Sequence, residues 1–384
     1  MSVTAPAGFR AAGVAAGLKA SGRPDVALLV NDGPRHVAAA VFTTNRVQAA
    51  PVVWTRQAVA DGRLDAVVLN SGGANACTGV DGFADTHHTA EHVAGLLGLS
   101  AADVAVCSTG LIGERLPMGR LLAGIDAAAA ALGPDGGPAA ARAIMTTDTV
   151  AKTAAVGADA GWTVGGMAKG AGMLAPGLAT MLVALTTDAA ADAGTLDRVL
   201  RAASRTTFER VDSDGCMSTN DTVLLLGNGA SGLAPDEADL AAAVTTVCAT
   251  LARALVADAE GAEHEIAVEV VHAASEAEAV EVARAVARSS LFKAAVYGRD
   301  PNWGRVLAAV GTTRAAFDPQ TLDVAINGVQ VCRSGAPGED RSAVDLGGRE
   351  VHVLVDLHAG AAAGTVWTND LTHAYVHENS AYST

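Results

Sequence analysis

Residues 165–182, Gly-Gly-Met-Ala-Lys-Gly-Ala-Gly-Met-Leu-Ala-Pro-Gly-Leu-Ala-Thr-Met-Leu, constrain this chain more than any other stretch. Five glycines and a proline surround one lysine, Lys169, and the run reaches one hydroxyl, Thr180, before an apolar strand-like segment at Met181–Leu185. Glycine admits close backbone approach and unusual dihedrals, so such a stretch suits a hydroxyl held on a strained turn better than a core element.

Three readings compete. A phosphate cradle would need the order Gly-x-x-x-x-Gly-Lys-Ser/Thr, but Lys169 precedes Gly170 and no hydroxyl follows it. A dinucleotide fingerprint would need a helix directly afterwards, and Pro176-Gly177 interrupts one. The second reading is a structural turn with Thr180 as the first residue of a strand. In the third, the Thr180 hydroxyl attacks the Ala179 carbonyl, and hydrolysis of the resulting ester frees a new N-terminus. That α-amine, with an ordinary pKa of about 7.7–8, lies beside its own hydroxyl, so one residue supplies nucleophile and base.

The surrounding sequence reads as layered α/β, without a clean βαβ alternation. Strands are expected at Val26–Val30, His36–Thr43, Val52–Trp54, Ala66–Leu69, Val104–Cys107, Trp162–Gly166, Thr222–Leu226, and where Ile266/Val268/Val270 and Val351/Val353/Val355 alternate. Helices are expected at Asp85–Leu97, Met118–Leu132, Pro138–Met145, Leu196–Phe208 and Asp239–Asp258, with Ser275/Glu278 capping another. Asn327-Gly328 predicts a type I′ hairpin. Two loops join the glycine stretch as candidates. Asn70–Gly79 leaves one strand, and Ser108-Thr109-Gly110 leaves another, offering a hydroxyl next to a free backbone N–H.

A net charge of −15 excludes a basic footprint for nucleic acid or acidic membrane. The N-terminus lacks a basic segment followed by an apolar core, and no uninterrupted run of 18 apolar residues occurs, so neither a signal peptide nor a membrane span is expected. Five widely spaced cysteines without a CxxC pair read as reduced, mostly buried thiols of a cytosolic protein. His88-Thr89-Ala90-Glu91-His92 matches the short inverted zinc-protease pattern, but no third ligand can be picked out, and a solvated helix face is expected instead of a metal site.

Met167–Pro176 followed by Leu178-Ala179-Thr180-Met181-Leu182 resembles the signature of the ornithine acetyltransferases, the self-cleaving glutamate N-acetyltransferases of arginine biosynthesis. The resemblance spans the chain: Asn70–Ala76, Ser108–Gly110, Met145–Asp148, Ser218–Asp221, Asp300–Arg305 and Glu378–Tyr382 all take part. Ala171 and Gly177 depart from it, where the family often has Ser and Asn. The resemblance implies an αββα-type sandwich that works like the N-terminal-nucleophile (Ntn) hydrolases but with a distinct topology. It implies an α chain, residues 1–179, and a β chain, residues 180–384, associated as α2β2 in the cytoplasm. Carried over by position, Thr180 is the nucleophile, and Thr109 and Gly110 form the oxyanion hole. Thr146, Lys169, Thr180, Glu260, Asn379 and Thr384 are substrate-binding positions. No cofactor is implied, and acetyl-CoA as a further donor stays open. An amidase or aminopeptidase using the same nucleophile is the alternative.

Overall fold

The computed structural model describes residues 2–174 and 181–381. Ala179, Thr180 and Thr384 lie outside the described residues. The chain divides into two compact units, Met1–Glu209 with Cys216–Leu255, and Arg210–Gly215 with Val256–Ser383.

In the first unit the strands are β1 (Phe9–Val14), β2 (Val26–Asn31), β3 (Val37–Phe42), β4 (Ala66–Asn70), β5 (Val104–Ser108), β6 (Lys152–Gly157), β7 (Thr163–Lys169), β8 (Leu182–Thr187) and β9 (Thr222–Gly227). Its helices are α1 (Ala50–Ala58), α2 (Gly79–Leu97), α3 (Met118–Ala130), α4 (Gly137–Ala143), α5 (Ala193–Thr206) and α6 (Glu237–Ala257), the last crossing the division. One sheet has the order β1-β2-β4-β5 and the other β3-β9-β8-β7-β6. The inner strands β2, β4, β8 and β9 are wholly buried, as in sheets covered on both faces.

Between the sheets lies a core of small and medium side chains, among them Ala11, Leu29, Val67, Met167, Ala184 and Leu224. The outer face of the first sheet packs Leu28, Val68 and Val106 against Ala90 and Val93 of α2 and Leu121 and Ile125 of α3. On the outer face of the second sheet, a side chain at Gly166 would strike Leu185, Val247 and Leu251, so α6 rides directly on β7. The unit is therefore the αββα sandwich expected from the sequence.

An 18-residue window of α6 has mean hydropathy 1.8, and half of it is buried. Among the described residues it alone is long and apolar enough to cross a bilayer, and its seat on β7 is that of a core helix.

One local expectation is corrected. Val52–Trp54 is not a strand but part of α1, which Pro51 opens in the first turn. Helical spacing buries Val52, Thr55 and Ala58, and the Thr55 hydroxyl donates to the Val106 carbonyl at 2.7 Å. An apolar triplet is too short to distinguish the two periods. Gly165 and Gly166 lie on a strand as expected, and β7 runs on past them to Lys169. A Cβ at Gly165 would sit 2.4 Å from the Ser2 carbonyl oxygen, so these glycines admit neighbours to a packed strand. The long apolar helix, the Ser275 cap and the hairpin agree with expectation. Ser275 Oγ accepts from the Glu278 N–H, and Asn327 and Gly328 have φ of 46° and 83°.

The second unit is one sheet with helices on a face. Its strands are β10 (Glu265–Ala273), β11 (Asp323–Ile326), β12 (Val329–Arg333), β13 (Ala336–Pro337), β14 (Glu350–Asp356) and β15 (Ala362–Asn369), in the order β13-β12-β11-β14-β10-β15. Its helices are α7 (Glu276–Ala287), α8 (Ser290–Tyr297), α9 (Trp303–Val310) and α10 (His373–Ala381). Ile266, Val268, Val270, Val351, Val353 and Val355 alternate onto the buried face, against Val282 and Val286 of α7 and Val306 of α9.

Candidate active site

Parallel pairing of β4 and β5 aligns Asn70 with Ser108, so the two glycine loops leave the first sheet side by side. Asn70 Nδ2 donates to Ser108 Oγ at 2.7 Å. The Thr109 N–H donates to the Asn70 carbonyl at 3.0 Å, and the Gly73 N–H donates to the Thr109 carbonyl at 3.0 Å. Asn220, just before β9, donates from Nδ2 to the Ser108 and Ala74 carbonyls at 2.8 and 2.6 Å. Thr109 is thus fixed by backbone bonds on both sides.

Gly110 has φ of +130°, and a Cβ there would lie 2.9 Å from the Gly73 backbone. Only glycine fits a left-handed position so close to the backbone of the neighbouring loop. Among the described residues the Gly110 N–H donates to nothing. Beside it, Thr109 Oγ1 accepts from Lys169 Nζ at 3.3 Å, with both side chains buried. A hydroxyl that accepts from an ammonium keeps its own proton free to donate. Thr109 Oγ1–H and Gly110 N–H are therefore two donors on one loop, next to a buried cation, as a developing oxyanion requires.

Asp148 organises the other side. Its Oδ1 accepts from Lys152 Nζ at 2.6 Å and from the Gly170 N–H at 2.7 Å, and its Oδ2 accepts from the Thr146 N–H at 2.9 Å. One carboxylate thereby ties the Thr146 loop, β6 and the residue after Lys169. Burial opposes its charge, but Lys169, Lys152 and the Gly170 N–H outweigh that cost and hold its pKa down at about 2.

Asp221, at the foot of β9, is fully buried and accepts from the Met181 N–H at 3.1 Å. Its other oxygen, Oδ2, has no hydrogen-bond partner among the described residues. The hydroxyls of Ser218 and Thr43 lie nearby: Thr43 Oγ1 donates to the Ser218 carbonyl, while Ser218 Oγ accepts from the Asn220 N–H and keeps its own proton toward the carboxylate. Burial pushes the Asp221 pKa well above the usual carboxylate range, against weaker opposition from Met181, Ser218 and Lys169.

In the second unit Asn379 Nδ2 donates to Glu260 Oε2 at 2.9 Å, bringing two of the expected substrate positions together. Gly261, with φ of +62°, permits this, since a Cβ would lie 2.2 Å from the Tyr375 nitrogen at the start of α10. Glu260 also lines a cavity of about 240 Å³ with Asp214, Arg288, Lys293, Asp370 and Tyr375.

The sequence-based candidates thus form two groups: Thr109, Gly110, Thr146 and Lys169 in the first unit, Glu260 and Asn379 in the second. Lys152 and Lys19 were not anticipated. Lys19 donates to the Met145 and Pro24 carbonyls at 2.6 and 2.8 Å, and burial lowers its pKa to about 8. A signal was present: only four of the 26 basic residues are lysines, and Lys152, Lys169 and Lys293 are buried while Lys19 is partly so. A chain that meets solvent with arginine reserves lysine for interior point charges. The His88–His92 pattern gathers no metal ligands. His92 turns to Asp126 at 2.7 Å, and His88 lies exposed 3.9 Å from Glu91.

Residues 10–384 match the ArgJ family model. The chain belongs to the ArgJ family. The arginine biosynthesis bifunctional protein ArgJ of Streptomyces coelicolor is 64% identical over 383 residues, covering 100% of both chains. That of Thermobifida fusca is 64% identical over 384 residues, again covering 100% of both. The solved ornithine acetyltransferase of Mycobacterium tuberculosis, complexed with ornithine, is 60% identical over 47% of this chain and 96% of its own, with a TM-score of 0.46. ArgJ membership over nearly the full length agrees with the resemblance carried by the motifs.

Proposed function

We propose that this chain is an acetyltransferase of arginine biosynthesis, moving acetyl from N2-acetyl-L-ornithine to L-glutamate through an ester on Thr180. The observation that carries the reading is the Thr109–Gly110 donor pair, braced by buried Lys169, in a chain 64% identical over its whole length to ArgJ proteins.

Cleavage at Ala179–Thr180 comes first. β7 and β8 are antiparallel neighbours, Lys169 facing Leu182, yet residues 170–181 connect them. Hairpin loops ordinarily take 2–5 residues, so this connection is far longer than pairing requires. A break within it leaves the second sheet whole, because β7 stays paired with β8 and β3 with β9. The two products would share that sheet, which supports α and β chains that remain together, with α2β2 as the assembly.

Thr180 Oγ then attacks the acetyl carbonyl carbon while the Thr180 α-amine takes the hydroxyl proton. Thr109 Oγ1–H and Gly110 N–H donate to the developing oxyanion. The C–N bond breaks, the proton passes to the departing ornithine amine, and acetyl remains on Thr180 as an ester. The glutamate amine attacks that ester and loses its proton to the Thr180 amine; the ester C–O bond breaks, Thr180 Oγ takes that proton back, and N-acetyl-L-glutamate departs. Thr146, Lys169, Glu260, Asn379 and Thr384 bind the two amino acids. Buried Lys169 suits a carboxylate and Glu260 an ammonium group. No cofactor is needed. The compartment is the cytoplasm, a reading supported by five widely spaced cysteines without a CxxC pair.

Acetylornithine supplied without glutamate should leave one acetyl group on the fragment beginning at Thr180, read by intact mass. Adding glutamate should remove it as N-acetylglutamate. Release mainly to water would instead favour an amidase, and an intact, fully active wild-type chain would overturn the mechanism. Acetyl-CoA is proposed as a second donor because curated relatives 64% identical to this chain are described as bifunctional. Acetyl-CoA and glutamate, without acetylornithine, test it directly.

A further inference from the structure

At one end of the second unit's sheet, adjacent strands bring two histidines and two aspartates together. Asp356 on β14 pairs with Val271 of β10 on one side and Asp323 of β11 on the other. His272 follows Val271 where β10 bulges, and His358 lies two residues beyond Asp356. Both histidines take left-handed backbone conformations with φ of 51°. Each turn aims an imidazole at the same carboxylate, as bulges commonly re-aim a side chain. His272 Nδ1 is 2.8 Å from Asp356 Oδ2, and His358 Nδ1 is 3.4 Å from Asp356 Oδ1.

We propose that His272, Asp356 and His358 bind a divalent transition-metal cation of the Zn2+ class. One donor atom from each lies within 4.8 Å of the others. Tetrahedral bonds of about 2.0–2.2 Å place donors roughly 3.3 Å apart, so side-chain rotation alone closes the set. Two imidazoles are borderline nitrogen donors beside one hard carboxylate, a set suited to Zn2+, Ni2+ or Co2+ rather than the all-oxygen ions Ca2+ or Mg2+. His358 Nε2 meets Asp323 Oδ2 at 3.1 Å, leaving Nδ1 as the ligand atom. That is the carboxylate–histidine–metal relay that fixes a ligand's tautomer. Asp323 is itself held by the Ser334 N–H at 2.7 Å. A fourth position is left for water. The ion clamps the two left-handed turns across β10 and β14, and acetyl transfer does not pass through it.

Calorimetric titration of untagged, chelator-treated full-length protein with Zn2+ alone, and separately with Ni2+, tests the assignment. The wild type should take up one ion per chain and melt at a higher temperature with it. His272→Asn and His358→Asn keep residues that tolerate the left-handed conformation, and each should weaken binding at least tenfold. Asp323→Asn should weaken it by about 10–100-fold, as expected for a residue orienting a ligand. The double variant His88→Ala/His92→Ala should bind like wild type. No uptake at millimolar Zn2+, or unchanged binding in both asparagine variants, overturns the proposal. So does loss of binding in the His88/His92 variant alone. Metal-free melting curves of the variants separate lost ligands from lost fold.

Discussion

Lys169 Nζ donates to Thr109 Oγ1 at 3.3 Å, inside a unit where both side chains are at most 3% exposed. The ammonium polarises the hydroxyl and leaves its proton free for a third party. Removing one such donor typically lowers kcat by about 10²–10³. Thr109→Ala should therefore lower kcat to that degree with KM little changed, while Thr109→Ser, which keeps the oxygen, should recover most of it. Steady-state kinetics on both variants check this. A Thr109→Ala enzyme with only KM raised would show that Thr109 binds substrate and does not meet the oxyanion.

Asp148 links acid stability to the same site. Its folded pKa, about 2, lies below its unfolded value of about 3.9, so its stabilisation is present above the unfolded value and disappears as pH falls toward 2. The shift corresponds to about 2–3 kcal/mol. Asp148→Asn should cost more at neutral pH, about 3–5 kcal/mol, because it leaves the Lys152 ammonium, 1% exposed, without its carboxylate. Urea melts from pH 7 to pH 2 should show the two proteins converging in acid. A constant difference across that range would mean that Asp148 contributes geometry alone.

Much of this arrangement is legible in the sequence, for identifiable reasons. Alternating valines place β10 and β14, and Asn327-Gly328 can make few other turns. Thr109 and Gly110 can be found because a hydroxyl and a glycine at a strand end leave a local mark. What resists reading is long-range. Asp148 carries no local mark of its role until Gly170 and Lys152 arrive, and the run of β7 beyond Gly166 to Lys169 shows only once Leu182 is paired with it. The scarcity of lysine marks the buried cations without naming their partners.

Asp221 should behave oppositely to Asp148. Its pKa is raised by burial, so it subtracts stability as pH rises above the unfolded value. Asn keeps an oxygen for the Met181 N–H and removes the charge. Asp221→Asn, made on a Thr180→Ala background so that one chain is compared throughout, should be at least as stable as its parent at pH 7. It should gain relative to its parent between pH 3 and pH 7. A larger stability loss at pH 7 than at pH 3 would show that the carboxylate is ionised and paired in the native state.

The shared second sheet makes a final prediction about the cleaved protein. In the order β3-β9-β8-β7-β6, residues before the proposed cut supply β3, β7 and β6, and residues after it supply β8 and β9. Each inner boundary is a full six-pair ladder, β7 with β8 and β3 with β9, and Met167, Leu182, Ala184 and Leu224 fill one core from both products. Separating the products would expose that core and unpair both ladders, so neither should persist folded alone. The two fragments should co-elute in native chromatography and part only across the same urea range that unfolds the protein. Thr180→Ala, which keeps the two halves covalently joined, should gain less stability with rising protein concentration than the cleaved protein does. Fragments that separate under native conditions would show that the sheet does not hold them.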